Sequence, residues 1–334
     1  AVLVGALQDA LFQAFVLDCS PPPLQGAEPA GSLSTVHVVY SCDAKQFRLL
    51  LGSLTSLVRH LEEPSSCVIH LIVRPSELQR ASELLGCLRR ELASLPALPQ
   101  FQLQELLPRP LGITGLWGEE HVAHHPEAFV RFRLHEYLPS APRAVWLDAD
   151  TILRADVGQL YRVRMEHPVA AVPAVKLYPW AYYRDRMDPA LRGHVRNLSA
   201  SPFNSGVLVV DLERWRSGEL TRRLERWAEL FARTEIAGLF ADQTMLNLEF
   251  QGRYDSLAWA WNVPCGTASR LPRRCLEEGR IFHWHGPNKP KLKGRHPLFK
   301  RHDDLFEPHL PSQPCPAAAG PTGEGKEGPE ELEK

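Results

Sequence analysis

"VHVVYSCDAKQFRLLLGSLTSLVRHLEEPSSCVIHLIV", residues 36–73, changes its hydrophobic period twice. "VHVVY" (36–40) and "VIHLIV" (68–73) are short apolar runs of strand length. Between them Phe47, Leu50, Leu51, Leu54, Leu57, Val58 and Leu61 recur every three or four positions, which is one face of a helix. The pattern continues outward. Residues 77–92 repeat the helical period, and "FQLQEL" (101–106) alternates as a strand does. "AFVRFRLHEYL" (128–138) predicts a helix stopped by Pro139, and "AVWL" (144–147) predicts a strand that runs directly into acidic residues. Strands separated by helices predict an α/β fold, a single Rossmann-like domain with a mostly parallel central sheet flanked by helices. Ligands of such sheets gather at the carboxyl ends of the strands. Further on, "VAAVPAV" (169–175) and "FNSGVLVVDL" (203–212) read as strands, and a helix is expected from about 213 to 232. "DQTMLNLEF" (242–250) opens another helix, 252–280 shows no period, and "RIFHW" (280–284) is a last strand.

The chain has 334 residues, 44% of them hydrophobic, enough for a sizeable core. Lysine and arginine total 38 against 39 acidic residues, a formal net charge of -1. No global field exists to gather nucleic acid, so any anion must be held by a local site. "SPPPLQGAEPAGSLS" (20–34) reads as a linker, which gives an N-terminal segment 1–34 and a folded domain 35–310. The Pro-, Gly- and Glu-rich residues 311–334 are expected to form a disordered tail. The chain starts at Ala1, leaving room for a membrane anchor upstream. Seven cysteines show no paired CxxC spacing; Cys265 and Cys275 bracket a short loop and suit a disulfide. That pairing and the Asn-Leu-Ser sequon at Asn197 point to a secretory lumen.

"WLDADTIL" places Asp148 and Asp150 just after a buried strand. Two positions apart in extended chain, their carboxylates point the same way, as hard divalent cations require. A DxD triplet alone reads more readily as an Asx-turn or helix cap at a strand end. "IFHWHGPNKP" (281–290) changes the weighing. His283 and His285 share one face of a short strand and offer nitrogen ligands; Gly286 permits close backbone approach; Lys289 adds a point charge for phosphate oxygens. Two carboxylates, a histidine and Gly-x-x-Lys describe a metal-bridged diphosphate site.

With these residues in view, the chain resembles the retaining glycosyltransferases of family 8, a group that includes glycogenin, bacterial lipopolysaccharide galactosyltransferases and plant galacturonosyltransferases. "VVYSCD", "RFRLHEYLP", "WLDAD", "FNSGVLVVDLERW", "ADQTMLN" and "HWHGPNKP" match in order over roughly residues 36–310. The resemblance implies a GT-A-type fold and a UDP-sugar donor bound through a divalent metal, usually Mn²⁺, with Mg²⁺ the other candidate. It implies Asp148, Asp150 and His283 as metal ligands, and Gly286 and Lys289 as diphosphate contacts. Asp43 falls where the family holds the uridine, Arg131 lies close to the donor, and Asn204 and Asp242 match sugar-contacting positions. Gln243 matches the side chain nearest the anomeric carbon on the face away from the leaving group. Lys291 stands where the family's motif has a tryptophan, which adds a charge beside the donor.

The expected reaction is transfer of a hexosyl or pentosyl group from a UDP-sugar to a hydroxyl on a glycan, glycoprotein or other acceptor, in the secretory pathway and most simply the Golgi lumen. Front-side attack is expected, because Gln243 is a poor nucleophile; Asp242 is the alternative nucleophile. A nucleotide-sugar-binding scaffold of the same fold, without turnover, is the competing reading. A nucleotidyltransferase is disfavoured because no GxxxxGK[ST] loop occurs, and the GxxxxGK and GxGxxG patterns at 320–328 fall in the Pro-, Gly- and Glu-rich tail rather than between a strand and a helix.

Overall fold

The computed structural model describes residues 34–107, 126–174, 192–197, 199–231, 241–265, 273–285, 289–290 and 302–319. The unit from which the fold was read forms β1 (Val36–Ser41), α1 (Phe47–Arg59) and β2 (Cys67–Val73). It is followed by α2 (Leu78–Glu91) and β3 (Gln100–Glu105), then α3 (Leu134–Tyr137), β4 (Arg143–Leu147), β5 (Thr151–Leu153), α4 (Val157–Tyr161), β6 (Val169–Pro173) and β7 (Phe203–Asp211). The last part holds α5 (Leu212–Ser217), α6 (Leu220–Phe231), α7 (Ala241–Phe250), β8 (Asp255–Ser256), β9 (Val263–Pro264), α8 (Arg273–Glu278), β10 (Ile281–His283) and α9 (Asp303–Phe306).

Among the described residues the main sheet runs β3-β2-β1-β4-β7-β6-β8. Parallel pairs join β3, β2, β1 and β4; β7 is antiparallel to both β4 and β6. One reversed strand leaves the sheet mostly parallel, as expected. Alternate strand residues feed two cores. Val38, Tyr40, Val145, Leu147, Val207 and Val209 face α1, α2 and α4, while Val39, Ala144, Trp146, Leu208 and Val210 face α5 to α7. A second sheet, β5-β10-β9, sits where β4 ends.

Two helices differ from expectation. The stretch 128–138 is a 3₁₀ helix, Pro126–Phe132, followed by the four-residue α3, because Arg131 turns inward to polar partners in β7 and beyond. The helix expected over 213–232 breaks into α5 and α6 at Gly218 and Glu219, the latter in the left-handed region at φ 49°.

The cysteine expectation is corrected. Cys265 is a buried free thiol, so no bridge to Cys275 forms; its backbone N–H bonds the His283 carbonyl within the small sheet, and burial pushes the thiol's pKa up. The disulfide instead joins Cys87 to Cys315, with Cα atoms 5.9 Å apart. This also corrects part of the tail. Residues 311–319 lie along α2, where Arg80 donates to the Ala317 carbonyl (2.8 Å) and Glu91 accepts from the Ser312 backbone N–H (2.9 Å). A cross-link and specific polar anchors order a segment whose composition alone does not. Residues 1–33 and 320–334 lie outside the described residues, and no helix among those described is long and apolar enough to cross a membrane.

Candidate metal and donor site

β4 ends at Leu147, and the chain turns through Asp148-Ala149-Asp150 into β5. β10 pairs antiparallel with β5 and sets His283 opposite Thr151, which delivers the imidazole beside both carboxylates across 133 residues of chain. Asp148, Asp150 and His283 each offer a ligand atom, and these atoms all lie within 4.8 Å of one another. His283 Nε2 is 3.3 Å from Asp150 Oδ1 and 3.7 Å from Asp148 Oδ2. The donor set of two oxygens and one nitrogen fits a divalent cation. Gly206 shows how closely the cluster is built: a Cβ there would lie 2.1 Å from His283 Cε1 and 2.8 Å from Asp148 Oδ2. Only glycine leaves the ring this room.

Lys289 Nζ pairs with Asp150 Oδ2 and donates to the Trp284 carbonyl at 2.9 Å. Burial alone would raise the Asp150 pKa, but the Lys289 ammonium and the His283 ring beside it more than offset that and hold it below the usual carboxylate range. Asp150 is therefore ionised in the folded protein near neutral pH.

Asp148 is oriented from the other side. Trp146 and Asp148, two apart, point the same way, and the indole Nε1–H donates to Asp148 Oδ1 at 2.8 Å. Arg131 donates to the same oxygen at 3.1 Å and stacks on the Trp146 ring, 4.6 Å from its centroid. Oδ2 is the oxygen that faces His283. Arg131 also reaches the Ser205 carbonyl (2.8 Å), Ser205 Oγ (2.7 Å) and Asp242 Oδ2 (3.2 Å). It does not pair with Glu127, which binds Arg74 instead.

Gln243 Oε1 accepts from the Ser205 backbone N–H at 3.0 Å. A backbone N–H can only donate, so that atom is the amide oxygen and its orientation is set. Asn204 Oδ1 accepts from the Gly206 N–H at 3.0 Å and from Asn262 Nδ2 at 2.8 Å. His283 Nδ1 lies 3.0 Å from Asn262 Oδ1. Asp43 follows β1 at the same sheet edge, since β1 and β4 are parallel neighbours, and its Oδ1 is buried without a hydrogen-bond partner. Gly286 and Lys291 lie outside the described residues.

The structure thus gathers Arg131, Asp148, Asp150, Asn204, Asp242, Gln243, His283 and Lys289 around one end of the sheet. Sequence reasoning missed Trp146, Ser205, Gly206 and Asn262. Trp146 could have been found from its two-residue spacing to Asp148; Asn262 lies in the stretch without a period.

An α/β domain of this topology, with a carboxylate and histidine cluster at its strand ends, has the GT-A fold of solved glycosyltransferases. Residues 37–293 match the family model Glycosyl transferase family 8, and the chain belongs to that family. It is similar to probable galacturonosyltransferase-like 6 of Arabidopsis thaliana, 26% identical over 273 residues that cover 78% of this chain and 75% of the relative. The galactosyltransferase LgtC in complex with donor and acceptor sugar analogs superposes with a TM-score of 0.59 at 16% identity, covering 84% of this chain and 98% of that one. The bifunctional glycosyltransferase WbbM gives 0.65 at 18% identity, covering 87% of this chain; this chain spans about half, 52%, of WbbM.

Proposed function

We propose that the protein is a metal-dependent retaining glycosyltransferase that moves a hexosyl or pentosyl group from a UDP-sugar to a hydroxyl of a glycan or glycoprotein acceptor. The observation that carries this is the meeting of Asp148, Asp150, His283 and Lys289 at the carboxyl edge of the sheet. Asp148, Asp150 and His283 would hold Mn²⁺ or Mg²⁺, which would supply Lewis-acid stabilisation of a diphosphate leaving group. Lys289 supplies a further positive charge where the β-phosphate of the donor gathers negative charge as the glycosidic bond to phosphate breaks. Gly286 would bring its backbone close to the same diphosphate, and Asp43 would hold the uridine. Asn204 and Asp242 would contact the sugar.

The donor's anomeric carbon loses its bond to the phosphate oxygen, which keeps the electron pair. The acceptor oxygen attacks from the same face, and its proton passes to the departing phosphate. Gln243 suits this route better than a covalent one, because its Oε1 is already engaged by the Ser205 N–H. Asp242, paired with Arg131, is a stabilised carboxylate and a poor nucleophile. The relatives named galacturonosyltransferase-like and the galactosyltransferase LgtC support a sugar nucleotide donor. The Cys87–Cys315 disulfide supports an oxidising secretory compartment such as the Golgi lumen.

The test is release of UDP from UDP-glucose, UDP-galactose, UDP-xylose and UDP-galacturonic acid, with and without Mn²⁺. Release that requires the cation and is lost in Asp150→Ala supports the reading. Tight donor binding without any release would replace it with a non-catalytic sugar-nucleotide scaffold.

A further inference from the structure

Asn262 hydrogen-bonds to neither Asp148 nor Asp150, yet its two amide atoms connect the histidine of the metal cluster to the side chain proposed to meet the donor sugar. We infer that Asn262 is a positioning residue that fixes the tautomer of His283 and locks its geometry to that of Asn204. The inference rests on the proposed metal site but is read from hydrogen-bond chemistry that exists without the metal.

One backbone group in this network has a role that cannot vary. The Gly206 N–H donates to the side chain of Asn204 at 3.0 Å, so the atom it meets is the carbonyl oxygen, Oδ1. Asn262 approaches that same oxygen at 2.8 Å, so it must present its donor, Nδ2. Its other atom, Oδ1, is then an acceptor, and it lies 3.0 Å from His283 Nδ1. That nitrogen must carry the hydrogen. In the neutral ring Nε2 is left with its lone pair, directed at the space shared by Asp150 Oδ1 (3.3 Å) and Asp148 Oδ2 (3.7 Å). One backbone N–H therefore sets a metal-ready tautomer two side chains away.

Burial keeps water from breaking the relay. His283 is 1% exposed and Asn262 5%. The order is also enforced by shape, since Gly206 both donates the first hydrogen bond and lacks the Cβ that would strike the imidazole. The opposite tautomer would face Asn262 Oδ1 with a lone pair, and correcting this by turning the Asn262 amide would set its oxygen against that of Asn204. A consequence for the reaction is that Asn204 keeps only its Nδ2 hydrogens for the donor sugar, in a position tied to the metal ligand. Metal binding and sugar binding are coupled through Asn262.

Two substitutions separate the two bonds. Asn262→Ala removes both; Asn262→Asp keeps an acceptor for His283 Nδ1–H but cannot donate to Asn204 Oδ1. The first measurement uses the metal-free full chain with ¹⁵N-labelled histidine, about two pH units above the ordinary histidine value. Long-range ¹H–¹⁵N correlation, with His283→Gln identifying the signal, reads the tautomer. The wild type and Asn262→Asp are expected to be protonated at Nδ1, and Asn262→Ala to lose that preference. The second is Mn²⁺ titration, where Asn262→Ala should bind about 10–100-fold more weakly and Asn262→Asp at least as tightly as the wild type. In turnover, Asn262→Asp should raise the KM for the donor while keeping the Mn²⁺ requirement. An Nδ1–H tautomer retained in Asn262→Ala with unchanged Mn²⁺ affinity would overturn the inference, as would a wild-type ring protonated at Nε2. A wild type that binds no Mn²⁺ yet shows the Nδ1–H tautomer would overturn the metal reading and leave the relay standing.

Discussion

His70 and His283 are both strand histidines, 4% and 1% exposed, and they have opposite surroundings. His70 lies in β2, with His37 Nδ1 3.0 Å from its Nε2 and Gln104 at 3.5 Å; among the described residues no carboxylate hydrogen-bonds to it. Burial, reinforced by His37, pushes its pKa down to about 4. His283 stands between two carboxylates and an amide oxygen. Burying a histidine costs stability on acidification when its neighbours are neutral. Beside anionic oxygens the same residue becomes one ligand of a cation site, and what separates the two cases is the partner set rather than depth.

The largest expected effect falls on the acidic side of the His283 cluster. Asp150→Ala should lower Mn²⁺-dependent UDP release by at least about 10²–10³-fold, measured at saturating donor. His70→Gln should leave that rate within about two-fold, and a large loss there would erase the distinction. Gly206→Ala forces a Cβ into His283 and should weaken Mn²⁺ binding by about 10–100-fold with the fold intact by circular dichroism. Stability should separate the two histidines again. His70 in the folded chain is held below its ordinary 6.5, so the unfolded chain takes up the proton first as pH falls. Stability is then unaffected above about pH 6.5 and declines toward pH 4, by about 2 kcal/mol at pH 5 from this residue. Denaturant unfolding should show this slope, and His70→Gln should reduce it. Asp150 acts lower down: its depressed value contributes stability that is present above the ordinary carboxylate value and lost as pH falls below it. The smallest effect on the cation site is expected for Trp146→Phe, which removes one of two donors to Asp148 Oδ1 and should cost about 1 kcal/mol, or roughly five-fold in Mn²⁺ affinity.

The difference between the two histidines was partly legible in the sequence. Asp148 and Asp150 follow a readable strand, and their two-residue spacing announces convergence; His283 and Lys289 sit in a motif with its own order. The β1-α1-β2 unit could be read because strand and helix periods are local properties of the chain. Reversal of β7 within the sheet could not, since strand direction is set by tertiary pairing rather than by period. Asn262 was illegible for a similar reason: it lies in the bend before β9, and its role depends on Gly206 and Asn204, more than fifty residues away in the main sheet. Cys87 and Cys315 are 228 residues apart, and the composition around Cys315 hides a segment that is held by cross-linking and backbone anchors. Arg131 shows the converse. Its helix was expected from period, but a buried network drew it into 3₁₀ geometry and into the site.

Asp148, Asp150 and His283 are proposed to form one cation site. Calorimetric titration of Mn²⁺ into the wild type, Asp148→Asn, His283→Ala and His70→Gln tests it most directly. The expected result is one ion per wild-type chain, the same in His70→Gln, and no binding at that site in the other two. Unchanged stoichiometry and affinity in His283→Ala would contradict it.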